Sequence, residues 1–66
     1  MDITVNGRAE QAAEGETVFG LLARLGLDPA KVVVERNRAI VPGDAFAGTE
    51  LQDGDALEIL RFVGGG

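Results

Sequence analysis

The 66-residue sequence contains no Cys, His, Ser, Tyr or Trp. These absences remove the thiol and imidazole metal ligands, the serine and cysteine nucleophiles, and the one side chain that ordinarily titrates near neutral pH. Neither a catalytic triad nor a zinc centre can be assembled from what remains. Carboxylate-only metal binding and paired-carboxylate hydrolysis stay chemically open, but a thin body of this length offers little concave volume to enclose a substrate. The chain therefore reads as a non-enzyme with no permanently bound cofactor and no metal. No apolar run approaches the roughly 18 residues of a membrane span, and Met1-Asp2-Ile3-Thr4-Val5 lacks a basic-then-apolar leader. With no disulfide framework available, a reducing, cytoplasmic setting is expected.

Basic residues are also scarce: six against eleven acidic ones, for a net charge of −5. Such a surface repels phosphate backbones and anionic lipid, so neither nucleic acid nor membrane is an expected partner. The same field speeds encounter with a basic protein surface, and also keeps a small protein soluble. Hydrophobic residues make up 45% of the chain, but nine of them are Ala, which leaves material for one small core. The expectation is a single domain, monomeric when alone, that buries only about 60% of its unfolded surface.

Along the chain, Ile3-Thr4-Val5 leads into Asn6-Gly7, the dipeptide best suited to the two positive φ angles of a tight hairpin turn. The second arm, Arg8 to Ala13, has weak strand propensity and reads as an edge strand imposed by that turn. Thr17 is positioned to cap a helix in which Val18, Leu21, Leu22 and Leu25 recur at i, i+3, i+4 and i+7, giving one buried face. Gly20 weakens that helix by about 1 kcal/mol relative to Ala, so packing must hold it. Gly26 ends it and Asp28-Pro29 blocks its resumption. Val32 to Asn37 reads as a strand, followed by a turn near Asn37-Arg38 and a short strand, Ala39 to Val41. Phe46 and Leu51 are apolar anchors in a polar connection, and Ala56 to Val63 is the last strand. In that strand Leu57 and Ile59 are expected to face the helix, while Glu58, Leu60 and Phe62 point away. Asp53-Gly54-Asp55 is read as a turn with solvated carboxylates rather than a metal loop, and Arg36 and Arg38 as solvated cations.

Gly64-Gly65-Gly66 carries the most information. Three residues without Cβ have nothing to pack and lose the most entropy on ordering, so their use lies outside the fold. Extended, they reach about 10 Å and present an α-carboxylate that is ionised at neutral pH.

Taken in order, Ile3-Thr4-Val5-Asn6-Gly7, Thr17-Val18, Leu21-Leu22, Leu25-Gly26-Leu27 and Val33-Val34-Glu35-Arg36-Asn37 resemble the ThiS family of sulfur carriers. Val41-Pro42, Leu51, Asp53-Gly54-Asp55, Glu58-Ile59 and Val63-Gly64-Gly65-Gly66 extend that resemblance over essentially the whole chain. It implies an α+β, ubiquitin-like β-grasp fold: a mixed sheet of four to five strands on one helix, with residues 1–63 as the domain and 64–66 as a flexible tail. It also implies that the Gly66 carboxylate is adenylated with ATP by an E1-like, ThiF-type enzyme and converted to a thiocarboxylate by a cysteine desulfurase or other persulfide donor. The sulfur then passes to a ThiG-type thiazole synthase in thiamine biosynthesis, with Gly64 and Gly65 threading the tail into the enzymes. Leu60, Phe62 and Phe46 are the candidate partner contacts. The small subunit of molybdopterin synthase, carriers for cysteine or tungsten-cofactor pathways, an inert interaction module and a protein modifier joined through Gly66 are the alternative readings.

Overall fold

The computed structural model describes residues 1–62. The expected strand end at Val63 and the expected tail Gly64–Gly66 lie outside the described residues. Asn6 (φ 51°) and Gly7 (φ 80°) form the anticipated turn between β1 (Asp2–Val5) and β2 (Arg8–Gln11). The second arm stops at Gln11, short of the expected Ala13, and Ala12 instead turns into the core.

Helix α1 (Val18–Arg24) starts where expected, with Thr17 Oγ1 accepting the Gly20 amide N–H at 3.1 Å. Its end is a paired C-terminal closure: the Gly26 N–H donates to the Ala23 carbonyl and the Leu27 N–H to the Leu22 carbonyl. The left-handed backbone this requires falls on Gly26, at φ 74°, where no Cβ is strained. Val18, Leu21 and Leu22 are fully buried, each contributing about 1.5–3 kcal/mol of hydrophobic stabilisation. Leu25 departs from the expected face and is 36% exposed. The physical reason is length: a seven-residue helix has left its axis by Leu25, which serves as the C-cap.

Asp28 caps a single 3-10 turn, Pro29–Lys31, that feeds β3 (Val32–Arg36), and a turn at Asn37-Arg38 leads into β4 (Ala39–Val41). A second 3-10 segment, Gly43–Gly48, carries Phe46 into the core before β5 (Ala56–Arg61) closes the sheet. The sheet order is β2-β1-β5-β3-β4, with β5 parallel to β1 and antiparallel to β3. It confirms the mixed sheet on one helix, with β2 at the edge. Ile3, Val34, Leu51, Leu57 and Ile59 pack with the buried helix face into one core.

Two asparagines hold β5 from opposite sides. Asn6 Nδ2 donates to the Ile59 carbonyl at 3.1 Å and its Oδ1 accepts the Ile59 N–H at 2.8 Å. On the other edge Asn37 Oδ1 accepts the Ala56 N–H at 2.9 Å, and the Asn37 N–H donates to the Ala56 carbonyl. The Asn6 primary amide thus stands in for a whole peptide group, and the Asn37 amide for a peptide carbonyl, where the neighbouring strand has turned away. Replacing Asn6 with Ala removes two hydrogen bonds and leaves a Cβ residue at positive φ without compensation, an expected loss of about 2 kcal/mol. Amide hydrogen exchange at Ile59, accelerated more than at Leu22, is the measurement that checks it.

Candidate functional site

The centre of interest is the downstream end of β5, because that strand leads to the glycines. Pairing with β1 runs from Thr4–Ala56 to Val5–Leu57 and ends at the Asn6 side chain. Pairing with β3 continues to Val32–Arg61, and the Phe62 N–H donates to the Lys31 carbonyl at 3.0 Å. The strand therefore projects past β1 while β3 and the Pro29–Lys31 turn still support it. A small open cleft beside it, about 230 Å³, is bordered by Gly26, Leu27, Asp28, Lys31, Arg61 and Phe62, among others. That volume lies below the range that encloses a small-molecule substrate.

Alternation in β5 is as expected. Leu57 and Ile59 are buried, whereas Leu60 is 59% and Phe62 is 65% exposed. These two candidate contacts come together at the root of the tail. Phe46, the third, does not join them: at 3% exposure it is a core residue. The Gly43–Gly48 turn folds its ring inward, where burying an aromatic side chain outweighs leaving it at the surface. The tail residues Gly64, Gly65 and Gly66 fall outside the described residues. Ile40, 65% exposed on β4, is a surface residue that sequence reasoning missed. Its alternation with Val41, which packs on the core, was the available signal.

Behind β5 the polar residues differ from expectation. Asp55 is only 4% exposed, so the solvated turn is overturned at this position. Its carboxylate accepts from Arg36 Nε at 2.8 Å, the Gln52 N–H at 2.8 Å and Asn37 Nδ2 at 3.0 Å. Arg36 is accordingly paired rather than solvated. Burial pushes the Asp55 carboxyl up, but the bonds from Arg36, Gln52 and Asn37 outweigh it and hold the group below the usual carboxylate range. Asp53 is also engaged, accepting the Asp2 N–H at 2.8 Å. These carboxylates fasten the turn that launches β5. Among the described residues no group of three or more acidic side chains could hold a metal ion. Nor is any described helix long and apolar enough to cross a membrane.

Comparison with known proteins places this arrangement. The sequence model of the ThiS family matches residues 3–66, a span that includes all three terminal glycines. The chain is 36% identical to the sulfur carrier protein ThiS of Escherichia coli over 66 residues, covering 100% of both. It is 46% identical over 66 residues to a thiazole synthase of Paramagnetospirillum magneticum, covering 100% of this chain but 20% of that protein. The chain thus spans one fifth of the length of the thiazole synthases it matches. The crystal structure of a thiamine biosynthesis protein (ThiS) from Geobacter metallireducens superposes with a TM-score of 0.84 at 40% identity, each chain covered in full.

Proposed function

The chain belongs to the ThiS family of sulfur carriers in thiamine biosynthesis, and from that premise we propose that it carries sulfur on the carboxyl group of Gly66. An oxygen of that carboxylate attacks the α-phosphorus of ATP on an E1-like, ThiF-type adenylating enzyme, pyrophosphate leaves, and an acyl-adenylate forms. A persulfide supplied by a cysteine desulfurase or another donor then attacks the acyl carbon and expels AMP. A thiol cleaves the resulting S–S bond, leaving its own sulfur in a disulfide and a thiocarboxylate on Gly66. Thiazole synthase takes that sulfur and the carboxylate is restored.

The observation that carries this reading is the family match running through Gly64, Gly65 and Gly66. The structure supports it by what surrounds the tail root. The domain supplies a stiff central strand and exposed apolar residues, while the nearby cleft is too small to shield an acyl-adenylate from water. Activation must then occur inside a partner, where alignment of reacting groups and exclusion of water are provided together. The matches to thiazole synthases, in which a carrier-like segment occupies one fifth of a longer protein, support that enzyme as the sulfur acceptor.

Intact-mass analysis tests the proposal. Incubation with the adenylating enzyme, ATP and a persulfide donor is expected to raise the carrier's mass by the difference between sulfur and oxygen. Subsequent thiazole synthase turnover should return it. An unchanged mass under those conditions, or attachment to lysines of other proteins, contradicts the proposal.

A further inference from the structure

The first turn of the chain also holds its most labile pair of neighbours. A side-chain amide of asparagine is open to attack by the main-chain nitrogen of the next residue, and glycine, having no Cβ, lets that nitrogen approach most closely. The chain has two asparagines, Asn6 before Gly7 and Asn37 before Arg38. Asn6 and Gly7 are both exposed, and a side chain at Gly7 would meet no atom within 4 Å, so crowding does not keep the reacting groups apart. Ile59 does. Asn6 Nδ2 donates to the Ile59 carbonyl at 3.1 Å and Oδ1 accepts the Ile59 N–H at 2.8 Å, which ties both ends of the amide to a residue 53 positions along the chain. Cyclisation requires the amide to leave Ile59 so that its Cγ can meet the Gly7 nitrogen.

We infer that Asn6 is a deamidation site that the two hydrogen bonds to Ile59 keep closed, reacting only in molecules whose β5 has released it. In those molecules the Gly7 nitrogen bonds to Asn6 Cγ, the Cγ–Nδ2 bond breaks, and the Gly7 proton leaves with the amide nitrogen as ammonia. The succinimide so formed takes up one water. Opening at Cγ gives aspartate, and opening at the main-chain carbonyl carbon gives isoaspartate; either adds one negative charge to the net −5. Aspartate still accepts the Ile59 N–H but has no N–H for the Ile59 carbonyl, and sets an anionic oxygen against it. Isoaspartate routes the main chain through the former side-chain carbon, which lengthens a two-residue turn that fixes the register of β1 against β2. The lesion falls where β1 lets go of β5, beside the strand that leads to the tail. It needs no partner protein and does not rest on the carrier reading. Because only the released form reacts, the native rate is the unfolded-chain rate scaled by the fraction of molecules in which Ile59 is open. The Ile59 N–H exchanges with solvent through the same opening, so the two protections should agree.

The experiment incubates the full chain at mildly alkaline pH in buffer and in unfolding urea. Conversion at each asparagine is read by peptide mapping and mass, and hydrogen exchange at Ile59 is measured in the same buffer. In urea Asn6 is expected to convert at least about tenfold faster than Asn37, whose following residue carries a side chain. In buffer Asn6 should slow by at least about 100-fold, a factor within about threefold of the protection of the Ile59 amide. Ile59→Val trims the core beneath β5 but keeps the main-chain groups that hold Asn6. It should raise the native rate about three- to tenfold and leave the urea rate unchanged. Asn6→Asp, the aspartate product installed directly, should exchange its Ile59 amide at least about tenfold faster than wild type. Native conversion at the urea rate overturns the inference, as does urea conversion no faster at Asn6 than at Asn37. A native rate unchanged in Ile59→Val, when exchange of the amide at position 59 has accelerated, overturns the gate. Wild-type exchange in Asn6→Asp overturns the consequence drawn for the joint.

Discussion

Appending one alanine after Gly66 is expected to abolish sulfur loading while leaving the melting temperature unchanged. The added residue converts the Gly66 carboxylate into an amide carbonyl, which cannot attack ATP, and moves the only remaining terminal carboxylate one residue out of alignment. A displacement of that size exceeds the tolerance for aligned reaction, where groups meet at about 3–3.5 Å. Substitutions within the tail should act by width. Gly65→Val or Gly66→Ala adds a side chain to the segment proposed to thread into the adenylating enzyme, and adenylation is expected to slow by about 100-fold or more. Pyrophosphate release measured beside calorimetric melting separates the two effects. Adenylation at the wild-type rate by Gly65→Val would exclude threading.

Asp55→Ala is the change expected to cost the most stability for a single polar side chain. It strips one partner from a buried ion pair and leaves the Gln52 N–H and Asn37 Nδ2 without acceptors. Because the Arg36 side chain retains some contact with water, the loss should be about 2–3 kcal/mol, somewhat below that of a fully buried pair. In a domain this small such a loss lowers the melting temperature by about 10–20 °C. Acid provides a second readout. The folded Asp55 carboxyl lies below its ordinary value, so its contribution is complete above the unfolded value of about 3.9 and vanishes as pH falls through the folded value. Wild type should therefore lose stability as pH falls below about 4, and Asp55→Asn should show a shallower decline. Chemical denaturation across that range measures both slopes, and parallel slopes would remove Asp55 from the acid response.

The elements that were legible in the sequence are those specified by nearby chemistry. Asn6-Gly7 can satisfy a turn by itself, Thr17 can cap the residues next to it, and Gly26 can supply a left-handed backbone wherever a helix ends. Alternation through Leu57, Glu58, Ile59 and Leu60 needs only the pleat of one strand to sort inside from outside. What escaped depends on register between distant segments. Asp55 looked like a turn residue because its partner Arg36 is 19 positions away, and only the pairing of β3 with β5 brings them together. Asn6 and Asn37 were visible as turn formers but not as holders of β5, since nothing local indicates which strand will pass beside them. Phe46 was placed at the surface because a lone aromatic in a polar connection gives no period from which burial can be read. For the candidate site, Leu60 and Phe62 followed from alternation, and Ile40 was open to the same reading through its alternation with Val41.

The central position of β5 also governs how the molecule is made. The hairpins β1–β2 and β3–β4 do not pair with one another in the sheet; β5 is the strand between them. During translation the first 55 residues can form these two ribbons and the helix, but the sheet cannot be joined until residues 56–61 have left the ribosome. Maturation is thus gated by the segment immediately preceding the glycines. A nascent chain broken off earlier leaves the two ribbons unjoined and open to proteolysis.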